Sequence, residues 1–484
     1  MTFMLRCTKR HDKGRVDMLH VSNDLSTRRV IGFACNQGFV LFLFYMGFNR
    51  SLSLGSMTFE RAELFSLLVF MVIGFALLKI VSRKVCDLLL SRPFLYIYAV
   101  VMVVGALGWT DSITVFELPV LGIFLGLTES FLLMAWGRAF GAIEKDQSIP
   151  EVFVGSLVAA LICLICGCVA IPGIMYVLRV LPLISAILVT VPSSSDAPTA
   201  PSASLSSLQP GSDTILLSLK ILVGTFLFGI SAGIMQTFDT DPGTATMPSY
   251  PVALLLFGAF LAGGLSLLLS DGFGRGAALN KLYRVTIFMI TIGFLLVPLP
   301  EFALSVLPGD SIVLAGYLSL TVVLIALFLI IALITSSDVA ASFSRGFMAL
   351  YGGEAVGVLI ANGIDCAQTG DSSPYTFVAI AGVLVLFSYV FLFTERDFDD
   401  LSRMVTDTNS FDAACEKIAR EGGLSRRETE ILPYVLKGRT SECIAGELCI
   451  SKSTVDTHLR RIYAKVDVHS RQELIDLSER EQLR

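Results

Sequence analysis

The chain has 484 residues, 54% of them hydrophobic and only 16% charged, with a formal net charge of -5. Soluble domains carry about 25% charged residues, so the composition excludes a wholly soluble protein and puts most of the chain in a bilayer. The small net charge hides a division, because charged residues are scarce from Val30 to Phe393 and dense from Glu395 onward.

Residues 1–29 carry Arg6, Lys9, Arg10, Lys13, Arg15, Arg28 and Arg29, with no apolar core before Val30. They read as a cytoplasmic tail, not a cleavable signal peptide. A helix needs about 20 apolar residues to cross the hydrocarbon core. Such stretches fall near 30–48, 62–81, 93–109, 115–138, 152–171, 173–191, 214–236, 250–270, 283–299, 312–335, 340–363 and 375–394, about twelve in all. The fifth and sixth are parted only around Pro172-Gly173. A Ser/Pro/Ala-rich tract, 192–213, separates six spans over 30–191 from six over 214–394 and has the composition of a flexible connector. Cys163, Cys166 and Cys168 lie in an apolar segment without nearby His or carboxylates, so they read as small contact residues and not as a metal site.

Loop charge sets an orientation. With the amino terminus inside, the inner loops hold Lys79, Arg83, Lys84, Arg92, Arg138, Lys145, Arg275, Lys281, Arg284 and Arg345, while the outer loops hold Asp111, Asp239, Asp241, Glu301, Asp310, Asp365 and Asp371. Positive residues favour the cytoplasm; Arg50 and Arg61 are the exceptions. An even number of spans returns Glu395 to the cytoplasm, so both termini are expected there. Six plus six helices about a linker resembles the major facilitator superfamily. Ser270-Asp271-Gly272-Phe273-Gly274-Arg275 echoes its D-R-x-G-R loop, but Val81-Ser82-Arg83-Lys84 lacks the Gly and Asp. The resemblance is architectural and does not carry transport with it.

Glu117, Glu129, Arg179, Lys220 and Glu354 lie within or near the apolar stretches. Each costs about 2.5–3.5 kcal/mol at a helix centre. Glu129, in GLTES, and Glu354, in YGGEAVG, are the candidates for lining a ligand cavity. The other three are expected to snorkel or to form structural pairs.

Residues 395–423 form a juxtamembrane connector, where Phe411, Ala414, Cys415 and Ile418 have the spacing of a short amphipathic helix. Over 424–484, Ser425-Arg426-Arg427-Glu428 is a capping box that starts a helix ending near Gly438, with Pro433 expected to kink it. A second helix follows from Ser441 to Leu448, burying Ile444, Ala445 and Leu448, with Cys449-Ile450 as the turn. Ser451 or Ser453 caps a third helix to about Val466. Projected at 100° per residue, Val455, Leu459, Ile462 and Val466 form its core stripe. Ser453, Thr457, Arg460, Arg461 and Ala464 face outward, as suits a major groove about 12 Å wide. A fourth helix, Arg471 to Arg480, closes the core with Leu474, Ile475 and Leu477.

This segment resembles the LuxR/FixJ-type helix-turn-helix over its whole length. The frame is met by Leu424, Ser425, Arg427, Glu428, Ile431, Leu432, Gly438, Ile444, Ala445, Leu448, Ile450, Ser451, Thr454, Val455, His458, Ile462, Tyr463 and Lys465. The resemblance implies a tetrahelical fold, dimeric binding to promoter DNA and insertion of the third helix. The DNA-binding candidates are Lys452, Ser453, Thr454, Thr457, His458, Arg460, Arg461 and Lys465. Asp456 stands where the family often has a DNA-touching Lys, and it is expected to pair with Arg460 at i+4. From Leu424 to Arg484 there are 11 Lys/Arg against 10 Asp/Glu, so positive charge is local to the third helix and binding by one copy is modest and salt-sensitive.

The sequence has no P-loop, nucleophile elbow or dinucleotide fingerprint, so no catalytic residue, cofactor or metal is expected. The predicted fold is all-α: a polytopic bundle followed by a small tetrahelical domain. The predicted function is a bacterial membrane-anchored one-component regulator, sensing an unknown small molecule or a membrane state and binding promoter DNA as a homodimer. The alternative is a secondary transporter of the facilitator type with an appended autoregulatory DNA-binding domain.

Overall fold

A computed structural model describes residues 26–46, 51–54, 57–107, 115–143, 145–169, 173–191, 212–237, 250–270, 275–298, 308–334, 339–367, 375–392, 411, 414–448 and 450–482. Among the described residues the fold is helical apart from one antiparallel hairpin, β1 (Leu52–Leu54) with β2 (Met57–Phe59), which pairs Leu52 with Phe59. Membrane helices satisfy their own backbone groups, and this is what apolar runs of such length require in lipid.

Helices stand at all twelve expected places. The first six are α1 (Thr27–Tyr45), α2 (Ala62–Ile80), α4 (Arg92–Leu107), α5 (Glu117–Gly141), α6 (Lys145–Cys168) and α7 (Met175–Leu188), with a short α3 (Arg83–Leu89) after α2. The second six are α8 (Ser212–Thr237), α9 (Tyr250–Leu268), α10 (Arg275–Leu296), α11 (Gly309–Ile334), α12 (Val339–Ala367) and α13 (Tyr375–Phe387), the last running on in a π-helical turn, Ser388–Leu392. Among the described residues, eight helices are long and apolar enough to cross a membrane by length and composition, not twelve. The apolar stretches of α4, α7 and α13 are shorter, and α1 holds Arg28, Arg29, Asn36 and Gln37 within its 19 residues. The boundary between α6 and α7 includes Gly173, at φ 84. Most of the connector 192–213 lies outside the described residues, as does Arg50.

Both sets of six contribute to one apolar core, which includes Phe33, Phe75, Trp136, Phe228, Tyr283 and Phe328. The tightest packing is between α8 and α12. A Cβ on Gly229 or Gly233 would overlap the carbonyls of Leu350 and Glu354, and one on Gly353 or Gly357 those of Phe226 and Ile230. Two small-xxx-small motifs therefore meet, letting the backbones approach as no larger residue permits. This crossing holds Glu354 against α8.

Charges are disposed of by pairing. Arg29 makes a two-pronged bond to Glu151, at 2.6 Å from both nitrogens, and Glu151 also accepts from the Ser26 amide at 2.9 Å. Arg28 donates to the last carbonyls of α7, Leu188 at 3.1 Å and Ile187 at 3.2 Å. Arg61, an exception to the loop-charge rule, is buried at φ 55, bonds the Phe44 carbonyl at 2.6 Å and pairs with Glu63 at 3.3 Å. It is a packing residue, so its charge says nothing about orientation. Of the remaining charges, Glu117 and Lys220 are exposed, and the Arg179 guanidinium lies 4.8 Å from the Tyr176 ring.

The carboxy-terminal residues form a second core: Ile431, Leu432, Val435, Ile444, Val455, Ile462 and Leu474 are its buried centre. Its helices are α14 (414–421), α15 (Arg426–Leu436), α16 (Ser441–Glu447), α17 (Lys452–Val466) and α18 (Arg471–Gln482). The connector's amphipathic helix belongs here. Cys415 and Ile418 are buried in this core, and Phe411 packs on it beneath the Lys437 ammonium at 4.9 Å.

Candidate nucleic-acid interface and ligand cavity

The reading helix is positioned by local chemistry. Ser425 and Glu428 complete the capping box of α15, the Ser425 amide donating to the carboxylate at 2.7 Å. Helix α15 runs unbroken through Pro433, which is buried, and ends beside Gly438 at φ 74. Thr440 caps α16 by accepting from the Cys443 amide at 3.3 Å. Ser451, not Ser453, caps α17, accepting from the Thr454 amide at 3.1 Å. The helix stops where Asp467 turns left-handed at φ 56.

On α17, Val455, Leu459 and Ile462 are buried, while Val466 is only half-buried. The outward face holds Ser453, Thr454, Thr457, Arg460 and Arg461, all exposed, with His458 half-buried at its margin. Thr457 bonds the Ser453 carbonyl at 2.8 Å, which leaves its methyl group and hydroxyl lone pairs for a ligand. The two lysines are engaged within the domain. Lys452 pairs with Glu442 at 2.6 Å, and Lys465 with Glu428 at 2.7 Å and the Gly423 carbonyl at 3.1 Å. Asp456 makes no ion pair with Arg460; it sits in the field of the Lys452–Glu442 pair instead. Arg460 and Arg461 are therefore the unengaged cations on this face.

Glu428 shows how the domain is tied together. Burial works to raise its carboxyl, but the Lys465 ammonium and the Ser425 amide and hydroxyl outweigh that and hold it at about 2. One carboxylate thus joins the cap of α15 to the end of the reading helix.

In the membrane half, the carboxylates Glu129 and Glu354 are both buried. Glu129 follows a π-helical turn in α5, Gly122–Leu127, and accepts from Asn36 Nδ2 of α1 at 2.5 Å. Its second oxygen and Asn36 Oδ1 are buried without a protein partner. Glu354 takes a hydrogen bond from Gln236 Nε2 of α8. Glu354 lines a cavity of about 50 Å³ whose walls include Tyr45, Phe228, Phe257, Tyr317, Leu350 and Tyr351; Glu129 is not among its lining residues. The two carboxylates are therefore not brought to one wall, although Tyr351 is within electrostatic reach of both. Gln236, Asn36 and the Arg61–Glu63 pair were not anticipated as members of this cluster. Among the described residues no group of three His, Cys, Asp or Glu is placed to hold a metal.

Residues 423–478 match the family described as bacterial regulatory proteins, luxR family. The uncharacterized response regulatory protein YgeK of Escherichia coli K12 is 40% identical over 84 residues, 16% of this chain and 57% of the relative, so the chain spans little more than half of that protein's length. A crystal structure of the E. coli fucose:proton symporter FucP is similar to 77% of this chain and 99% of its own at 12% identity and a TM-score of 0.43. A second FucP structure, in an outward conformation, covers 75% and 97% at 13% identity and 0.42. Likeness of that degree bears no functional conclusion. The terminal segment, by its match and by its capped, exposed third helix, is a LuxR-type helix-turn-helix domain, and among the described residues the chain carrying it has eight helices long and apolar enough to cross a membrane.

Proposed function

We propose that the chain is a membrane-anchored one-component transcription regulator whose termini are cytoplasmic. Its bundle binds a small molecule at the cavity bounded by Glu354, and its carboxy-terminal domains bind promoter DNA in pairs. The observation that carries this reading is the coexistence, in one chain, of an exposed Arg460/Arg461 reading face and an internal cavity with a buried carboxylate. Buried carboxylates inside membrane helices mark ligand or ion sites because lipid provides nothing to compensate them. Thr457, Arg460 and Arg461 contact the groove; Ser453, Thr454 and His458 support phosphate contacts; Lys452 and Lys465 steady the helix from within. Two copies turn two modest half-site contacts into one bivalent contact. Ligand acts by favouring a bundle state that changes how the domains pair. Glu129 fixes Asn36 and α1 rather than touching ligand.

The test compares promoter occupancy by the full chain and by Glu354→Gln in living cells, across growth conditions. A condition-dependent change in occupancy that Glu354→Gln abolishes supports sensing. Equal occupancy in every condition for both chains removes it. Uptake by vesicles that Glu354→Gln abolishes, with occupancy unaltered, would instead favour a transporter with an appended DNA-binding domain.

A further inference from the structure

We propose that the cavity at Glu354 takes a small organic cation, an alkyl- or arylammonium compound held by the carboxylate and by aromatic faces. The inference rests on the reading that this cavity is the chain's ligand site, and it adds the ligand's chemical class.

Five observations point the same way. Among the residues lining the cavity, Glu354 is the one ionisable acid, and no Lys, Arg or His joins it. Gln236 supplies one hydrogen bond to one carboxylate oxygen, and among the described residues the other oxygen has no donor. Arg61 reaches Glu354 electrostatically, but its guanidinium is shared with Glu63 at 3.3 Å. Six rings, Phe44, Tyr45, Phe228, Phe257, Tyr317 and Tyr351, line the cavity, and the rest of the wall is aliphatic apart from Glu354, Gln37, Ser156 and Thr321. Tyr351 is held by stacking on Phe347 at 5.7 Å, and Tyr45 by stacking on Tyr250 at 6.0 Å, so these faces are set before a ligand arrives.

Each class of ligand meets this lining differently. An anion would lie beside a carboxylate in a medium that screens poorly. A neutral molecule would leave that carboxylate buried with only Gln236 and the already paired Arg61 to offset its charge. A bare metal ion needs six or more oxygen ligands if it is calcium, and near-octahedral oxygen if magnesium; these walls are mostly apolar carbon and hold one carboxylate. An ammonium compound pairs with the carboxylate and is attracted to ring faces within about 6 Å. The remaining alternative is that Glu354 holds a proton, and then the site would have no preference for charge.

The full chain in lipid nanodiscs, without DNA, is titrated by calorimetry with choline and its uncharged isostere 3,3-dimethylbutan-1-ol, and with benzylamine and benzyl alcohol. At least one cation is expected to bind ten-fold or more tightly than its isostere, and Glu354→Gln is expected to erase that preference. Phe257→Leu, which removes a ring but no hydrogen bond, is expected to weaken the cation more than the isostere, and serves if Glu354→Gln does not fold. Equal binding of cation and isostere, binding of none of the four, or a preference that survives Glu354→Gln or is untouched by Phe257→Leu overturns the proposal. DNA occupancy is read separately. Cation binding that leaves occupancy unmoved refutes sensing but keeps the ligand class. Failure of both cations, while another compound moves occupancy, does the reverse.

Discussion

Replacing Glu428 by Gln should destabilise the DNA-binding domain by about 2 kcal/mol at pH 7. The substitution keeps the shape and one acceptor of the capping box but deletes the charge that meets Lys465 at 2.7 Å. The native carboxyl sits at about 2 against an ordinary 4.5. At about 1.4 kcal/mol per pH unit, that displacement sets a ceiling of about 3 kcal/mol. Lys465 is 38% exposed, and screening takes the figure down from that ceiling. For a domain this small, such a loss lowers Tm by about 10 °C. The sign follows from linkage: a carboxyl held below its unfolded value stabilises above that value and loses its contribution as pH falls toward the folded one. The Tm gap between the native domain and Glu428→Gln should thus be full above pH 5 and close between about pH 4.5 and 2. Circular-dichroism melts of a fragment holding residues 405–484, which has its own core, measure it. A gap under 2 °C at pH 7, or one that persists at pH 2, refutes the account of how α15 is tied to α17.

Other outcomes follow from the same contacts. Arg460→Ala and Arg461→Ala should each weaken binding of a preferred duplex by about 1–3 kcal/mol and relax sequence preference, as seen in titrations of matched and mismatched duplexes; Thr457→Ala should cost less. Gly233→Leu should prevent assembly of the bundle, since even a Cβ there overlaps the Glu354 carbonyl, whereas Gly263→Ala, with open space around it, should be tolerated; the monodisperse yield of full chain tells them apart. Arg29→Met leaves Glu151 buried and unpaired, a loss of about 3–5 kcal/mol, and adding Glu151→Gln should recover most of it in thermal-stability assays in detergent.

The local order of the DNA-binding domain was readable because caps and helical periodicity are short-range signals. Ser425/Glu428, the buried Val455, Leu459 and Ile462, and the amphipathic spacing at Phe411, Cys415 and Ile418 all announce themselves within one or two turns. The Lys465–Glu428 bond spans 37 residues and is invisible at that range, so the sequence offers Lys465 as a phosphate candidate without showing its intramolecular partner. Hydropathy places the membrane helices but not their neighbours. Glu151 carries no local signal of its role, since its partner Arg29 is 122 positions away. Arg61 reads as a loop charge although tertiary burial makes it structural. The Gly229/Gly233 and Gly353/Gly357 pairs were legible as small-xxx-small motifs, and noticing them would have brought α8, and with it Gln236, beside Glu354. Glu129 and Glu354 look alike in sequence; only the packing puts one at the cavity and the other against Asn36.

The central claim is that a chain embedded in lipid grips duplex DNA through α17. Cells are cross-linked, membranes are washed and pelleted, and DNA attached to the full chain is sequenced. Discrete genomic fragments should be enriched with the native chain and lost with the Arg460→Ala/Arg461→Ala double variant. A membrane fraction with no enriched fragment, or enrichment that survives the double substitution, would contradict the account.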